Sequence, residues 1–537
     1  MTDNNKPGDI SRRDLIRRAG ILGLVMAGSP AFLAACSSDT GGTTASTSPT
    51  ASASAAAKPI KGGTLKAALT GEPDSLDPAV SSVYTGAQVY DNIFSKLLTI
   101  DPSGAFVPRL ATKWTATDAT TWTFDLVDNA SFHNGEKFTS ADVKYTFERL
   151  LDPKTGSAYT ALYTAIASIE TPTPTQVVFK LKTPYGPFLT NLANNGEIVN
   201  QKAIESSDPA RKPVGTGPFE FVEWVQGDHI TLKRFDKYFE AGLPYVDGVN
   251  FKFLLVDQSR VDALASGEIN WADAIPLQQI ATLKNDPRFT YVTSPVAGIP
   301  DFLALNTKKA PFDKIEVRQA VAWALDRAAI RDLAYLGSGE IGVEEVPSGS
   351  PWYDGQDPYS TAPDVNKGKE LLAKAGFPNG LSIEYLGLPQ YPELLKTGEV
   401  VKEQLKAIGI DMTIKQVDVS VWYDAFVKGD YQITSAYQER TIDPDNFYAL
   451  VIKSGGSINT TGYSNPEVDK LIDQAASSTD DAARKQLYTQ IRQTVRDEAP
   501  LIFVHYETIN YLMQKNVAGS TVTPTLELNL KDVGFTA

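Results

Sequence analysis

Cysteine is nearly absent from this chain: its 537 residues include one, Cys36. A lone thiol forms no intrachain disulfide, so stability has to come from buried cores. Histidine is almost as scarce. His133, His229 and His505 lie far apart, none at a metal-ligand spacing. With only four methionines beside them, a protein-ligated metal is not expected, nor is any cofactor. Basic residues are in deficit, 50 against 64 acidic, and the formal charge is −14. A surface this acidic argues against nucleic acid and against electrostatic docking on anionic lipid. Long apolar runs are missing too. The run Ile21-Leu22-Gly23-Leu24-Val25-Met26-Ala27 is broken by Gly28, Ser29 and Pro30, well short of the ~20 residues of a membrane span.

What is present begins with that same N-terminal stretch. Ser11-Arg12-Arg13-Asp14-Leu15-Ile16-Arg17, the apolar run, and small residues before Cys36 have the order of an export signal. The paired arginines point to the route that carries folded proteins. Leu33-Ala34-Ala35-Cys36 resembles a bacterial lipobox, which implies an acylated Cys36 as the new N-terminus. The alternative is a chance apolar start with an ordinary buried cysteine. Residues 1–35 are thus read as a twin-arginine lipoprotein signal peptide, and the Ser/Thr/Ala/Gly-rich 36–60 as a flexible tether. Removal of the leader, with five basic and three acidic residues, takes the charge to about −16 and leaves 502 residues. That is too many for one core, so two or three domains are expected.

The body reads as alternating strands and helices. Thr64–Leu69 is strand-like, and Trp122, Phe124 and Leu126 alternate with polar residues at period two. Phe132-His133-Asn134-Gly135 is a tight turn. Ser140 is a candidate N-cap for a helix with the stripe Val143, Phe147 and Leu150. Further on come a helix over 317–330, strands at 302–305, 381–386 and 410–417, a helix over 399–408, a long helix over 482–498, and a strand over 501–505. Such alternation predicts an α/β body with mixed sheets. Trp114 and Trp122 read as core, and His133 as structural. Gly215-Thr216-Gly217 lacks the spacing and lysine of a phosphate loop, so it reads as a turn.

Several stretches occur in a telling order: Gly62-Gly63-Thr64-Leu65, Ser75-Leu76-Asp77-Pro78, Phe132-His133-Asn134-Gly135, and Ala141-Asp142-Val143-Lys144-Tyr145-Thr146-Phe147. Pro213-Val214-Gly215-Thr216-Gly217-Pro218-Phe219, Val317-Arg318-Gln319-Ala320, Leu325-Asp326-Arg327 and Asp443-Pro444-Asp445 continue it. In this order the chain resembles family 5 extracytoplasmic solute-binding proteins, the peptide- and nickel-binding receptors of ABC importers. The resemblance implies a two-lobed periplasmic-binding-protein fold, class II-like, with an extra subdomain in the first lobe. It implies lobe I at 61–298 plus 507–537 (subdomain about 101–210), lobe II at 299–506, and hinge crossings near Pro295–Asp301 and Tyr506. It also implies a ligand closed between the lobes, a permease partner and a monomeric, non-catalytic receptor on the outer face of the cell membrane.

By position the resemblance suggests ligand contacts at Val83, Tyr84, Trp422, Tyr437, Arg440 and Asp443. In peptide-binding relatives an aspartate four residues before the matching proline pairs with the peptide's α-amino group. Arg440 stands there in this chain. The sign of the subsite is reversed, favouring carboxylate, phosphate or carbohydrate hydroxyls over an ammonium. A loop shifted by one residue would instead put Glu439 in the aspartate's place. Acidic or blocked peptide-like compounds and oligosaccharides are the expected ligand classes, with a chelated metal left open. Two rivals are an exported hydrolase, disfavoured because no nucleophile–histidine–acid set is evident, and a sensory receptor without transport. The pairs Asp142/Glu148 and Asp443/Asp445 could imitate a glycosidase's carboxylates, but helices and turns commonly supply such pairs.

Overall fold

The computed structural model describes residues 58–537 except 82, 158, 360, 361, 439 and 440, and leaves out the side chains of 295–297. Cys36, most of the tether, Glu439 and Arg440 lie outside the described residues.

One eleven-stranded mixed sheet runs through the molecule. From one edge its order is Ile410–Gln416, Leu381–Gly387, Ile433–Tyr437, Phe289–Leu305, Leu501–Gln514, Trp271–Asp273, Thr64–Leu69, Gly248–Phe253, His229–Arg234 and Phe219–Val225. The short strand Glu340–Ile341 pairs off this path with Leu501–Gln514. Among the described residues only Phe289–Leu305 and Leu501–Gln514 belong to both halves of the sheet. Phe289–Thr293 pair with Asn510–Gln514 next to Trp271–Asp273, whereas Phe302–Ala304 pair with Leu501–Phe503 next to Ile433–Tyr437. The register shifts twice between these zones, at Thr293/Gly298 and at Asp301/Phe302. Such irregularities bend and twist a strand pair.

Each half is covered on both faces. In the second half Leu303, Leu305, Ile502 and Val504 enter one core, and Phe302, Ala304, Leu501 and Phe503 enter the other. In the first half Tyr511 and Met513 pack on one side and Leu512 on the opposite side. Period-two side chains that are apolar on both faces are the mark of a central strand, which explains why these segments lack a polar alternation. A further core belongs to a four-stranded antiparallel sheet, Ala111–Asp118, Thr121–Leu126, Gln176–Leu181 and Ile166–Thr173 in spatial order, with helix Ser140–Leu151 laid on it.

Several boundaries differ from the sequence reading. The N-cap of helix Ser140–Leu151 is Thr139, not Ser140; its backbone N–H and hydroxyl donate to the Asp142 carboxylate at 2.9 and 3.1 Å in a capping box. The expected helix over 317–330 is two, Ile315–Ala324 and Arg327–Ala334, because the Asp326 carboxylate accepts from Ala329 N–H and starts a new helix. The helix expected over 399–408 begins earlier, at Pro392, a residue suited to the first helical turn. The strand expected over 501–505 runs on to Gln514.

Gly215 and Gly217 press their backbone on Ile93: an added Cβ would meet Ile93 O at 2.0 Å and Ile93 C at 2.5 Å, respectively. His133 ties the same turn, accepting at Nδ1 from Gly215 N–H (3.3 Å) and donating from Nε2 to Gly217 O (3.1 Å). Burial lowers its pKa to about 4, so it stays a neutral structural clamp.

Candidate ligand-binding site

A chamber of about 560 Å³ lies between the four-stranded subdomain and the second half of the sheet. Trp122, Leu189 and Phe106 come from the first of these. Pro347, Trp352, Ile442 and Arg484 come from the second, while Gly298 of the long crossing strand and Pro524 complete the wall. Its volume is that of an ordinary small-molecule site.

Among the described residues the two walls meet where Ile442 packs against the subdomain core and at two glycines. Gly186 N–H donates to Ala476 O at 2.8 Å, joining the subdomain to the C-terminal end of helix Pro466–Ala476. Gly104, at the tip of the hairpin Leu98–Ile100/Phe106–Pro108, approaches Pro351, with Pro351 Cδ 3.7 Å from where a Cβ would stand. Gly186 has no room for a side chain. A Cβ there would sit 2.3 Å from Ser478 O and 2.7 Å from Arg484 Nε.

The chamber floor is built on a charge pair. Asp443 is buried and accepts from Arg484 through both oxygens, Nη1–Oδ2 2.8 Å and Nη2–Oδ1 2.6 Å. Asp443 Oδ1 also accepts from Asp445 N–H at 2.9 Å, capping helix Pro444–Phe447. Arg484 spends a third donor on Ala475 O (3.2 Å) and lies 4.7 Å from the Trp352 ring centre. Burial alone would lower the Arg484 pKa, but the Asp443 carboxylate more than offsets it and the guanidinium stays charged. Next to them Asp445 is pushed up to about 7, by burial first and by the Asp443 charge second. Burial likewise raises the Tyr185 phenol, and the Asp445 carboxylate adds to the rise.

The residues picked out by position have separate fates. Asp443 lines the chamber, though its two oxygens are engaged as described. Val83 is buried at the start of helix Tyr84–Tyr90, and Tyr84 is half-buried against the first core. Trp422 sits inside the core of the second half. Its Nε1–H donates to Thr434 Oγ1 at 2.9 Å and its ring stacks on Phe426 at 4.7 Å. Tyr437 ends strand Ile433–Tyr437 opposite Asp301. None of these four lines the chamber. Arg440 lies outside the described residues, three positions before Asp443.

Sequence reasoning missed Arg484 and Trp352; Trp122, read as core, does pack against the subdomain core and also lines the chamber. The signal for Arg484 was there. The buried face of helix Asp481–Glu498 is Arg484, Tyr488, Ile491, Arg492 and Val495, so two arginines occupy an apolar stripe. Among the described residues no group of three His, Cys, Asp or Glu side chains could hold a metal, and no helix is long and apolar enough to cross a membrane.

Comparison with known proteins decides the class. The family profile "Bacterial extracellular solute-binding proteins, family 5 Middle" matches residues 105–459. The chain belongs to that family. A glutathione-binding protein GsiB of Pectobacterium atrosepticum is 26% identical over 494 residues, covering 86% of this chain and 92% of that protein. The solved structure of the binding protein AgaA with agropinic acid from A. tumefaciens is 32% identical, with a TM-score of 0.75 over 88% of this chain and 99% of that one. Helicobacter pylori DppA, solved with the peptide STSA, is 25% identical with a TM-score of 0.76, covering 89% of this chain and 99% of that one. Family 5 members have the two-lobed fold, act outside the cytoplasm and serve ABC importers as substrate-binding receptors. This family 5 member is therefore a transport receptor, not an enzyme.

Proposed function

We propose that this receptor captures a small acidic organic solute, peptide-like in character, between its lobes and hands it to an ABC permease while held to the membrane by acylated Cys36. Lobe I would comprise 61–298 and 507–537, with the subdomain near 101–210, and lobe II 299–506. Strands Phe289–Leu305 and Leu501–Gln514 would act as the hinge, because only they pass between the halves of the sheet and both are irregular at the passage. Closure about such a hinge would give the permease a liganded form to recognise.

The observation that carries the ligand class is Arg440. It precedes Thr441, Ile442 and Asp443, which line the chamber, and the family resemblance implies that it takes the place of a carboxylate that pairs with an ammonium group in peptide-binding relatives. A like charge at a buried ammonium subsite should cost at least the ~3–5 kcal/mol of a removed partner. The 32% identical AgaA was solved with an acid, which agrees with this polarity.

A thermal-shift panel of plain dipeptides, N-acetylated acidic peptides, agropinic acid, glutathione and neutral oligosaccharides tests the reading. A ligand at ~100 times its dissociation constant adds ~2.7 kcal/mol of stability. Acidic compounds should shift the melt, and Arg440→Ala should remove the shift. Plain dipeptides that bind, with Arg440→Ala silent, would overturn it. For the anchor, Cys36→Ala should release the protein from membranes with binding intact, since two long acyl chains are enough for stable attachment.

A further inference from the structure

The chamber has more room and more apolar wall than an acidic head group needs. Phe106, Trp122 and Leu189 on the subdomain side oppose Pro347, Trp352 and Ile442 on the other. Of its charged side chains, all but the solvated Asp481 are already engaged. Arg484 and Asp443 satisfy each other, Lys485 Nζ donates to Pro351 O at 2.8 Å, and the Asp481 side chain is 84% exposed to solvent. A sugar ring placed here would lose water from several hydroxyls and find few free carboxylates or amides to replace it, which is costly. An apolar ring would lose nothing and gain the contacts of two indoles.

We propose that this chamber is a binding site for a flat apolar group, an aryl ring or a comparable side group, carried by the acidic ligand proposed above. The ligand class is then an acid with an aromatic or bulky apolar substituent. This rests on the acidic-solute reading for the head group but not for the chamber itself. Trp122 and Trp352 are the specificity-determining residues. They come from opposite sides of the closure contacts at Gly186 and Gly104, so an occupant bridging them also favours the closed form.

Binding of p-(trifluoromethyl)benzyl alcohol to the purified protein, followed by fluorine NMR, tests the chamber alone. The fragment should bind. Trp122→Ala and Trp352→Ala should each weaken it at least about fivefold, and Trp122→Phe should retain most of the affinity. No binding, or binding indifferent to both alanine variants, overturns the proposal. A second arm compares N-benzyloxycarbonyl-L-glutamate with N-acetyl-L-glutamate by calorimetry. The aryl acid should bind at least about tenfold tighter, and each alanine variant should erase that advantage. Equal affinities would show that the ring of a bound acid does not reach the chamber, which overturns the ligand assignment. If the fragment binds and neither acid does, the acidic-solute reading fails while the chamber stands.

Discussion

His505 Nδ1 lies 2.9 Å from Asp301 Oδ2, and the two residues face each other across the two strands that, among the described residues, join the halves of the sheet. His505 Nε2 is 2.8 Å from the Ser338 carbonyl, which can only accept, so that nitrogen carries a proton and the pair shares the other. Tyr335 stacks on the imidazole at 3.6 Å. Burial raises the Asp301 pKa, and the hydrogen bond from His505 opposes that rise. His505→Ala removes one partner from a buried pair, which typically costs ~3–5 kcal/mol. The expected result is a clearly lower melting temperature, with His505→Gln losing less because its amide can still donate. An unchanged melt for His505→Ala would mean that the pair contributes nothing at the crossing.

The Asp443–Arg484 pair invites a double-mutant comparison. Arg484→Met leaves a buried carboxylate alone, and Asp443→Asn leaves a buried guanidinium half-satisfied. Each single change should cost ~3–5 kcal/mol, and the double change should cost less than their sum. Chemical denaturation measures the coupling. Additive losses would show that the two side chains act independently.

Two buried carboxyls set an expected pH dependence. Asp445 is pushed up to about 7 by burial and then by Asp443. Glu344 is pushed up to about 8 by burial and then by Glu345, with Arg492 opposing. A raised folded-state pKa means that the native state binds its proton more tightly than the unfolded chain does. Each group's contribution is therefore full below the ordinary carboxylate range, near pH 4, and is lost as pH rises through 7 or 8. Within that window the slope is about 1.4 kcal/mol per pH unit per group. Melting temperature should fall between about pH 5 and 8, and Asp445→Asn or Glu344→Gln should flatten the fall. A wild-type profile flat across that range would contradict this.

Gly186 should matter for closure rather than for folding. Its Cβ position is 2.3 Å from the Ser478 carbonyl oxygen, and backbone cannot yield as a flexible side chain would. Gly186→Val should hold the subdomain away from helix Pro466–Ala476 and weaken ligand binding at least about tenfold. Its melt without ligand should change little, because the clash is with Ser478 and Arg484 across the chamber and not with the subdomain itself. Small-angle scattering should then show a more extended liganded form. Wild-type affinity would mean that this contact is no part of the bound state.

Much of the architecture was legible in the chain. The strand Thr121–Leu126 places Phe124 and Leu126 in a core as its alternation implied, and Val143, Phe147 and Leu150 form the buried stripe of their helix. Helix Asp257–Ser266 stops at Gly267, whose φ of +81° suits glycine. The errors have local causes. Asp326 capped a new helix inside what read as one, and strand Leu501–Gln514 ran past the expected end because pairing partners changed along it. The site was less legible. Trp422, chosen by position, is held in a core by Thr434 and Phe426, which are neighbours only in space.

By itself the sequence determined what depends on local order: the acidic body without disulfides, the alternating elements and the motif series of family 5. It also supplied Arg440, whose charge needs no coordinates to be known. Tertiary structure decided what depends on distant segments meeting. Asp443 and Arg484 are 41 residues apart, Asp301 and His505 are 204 apart, and Trp122 from a strand of the four-stranded sheet and Trp352 from a turn come to one chamber. Burial and hydrogen-bond partners are properties of that meeting, and they determine whether a charge binds ligand or is already neutralised by a neighbour.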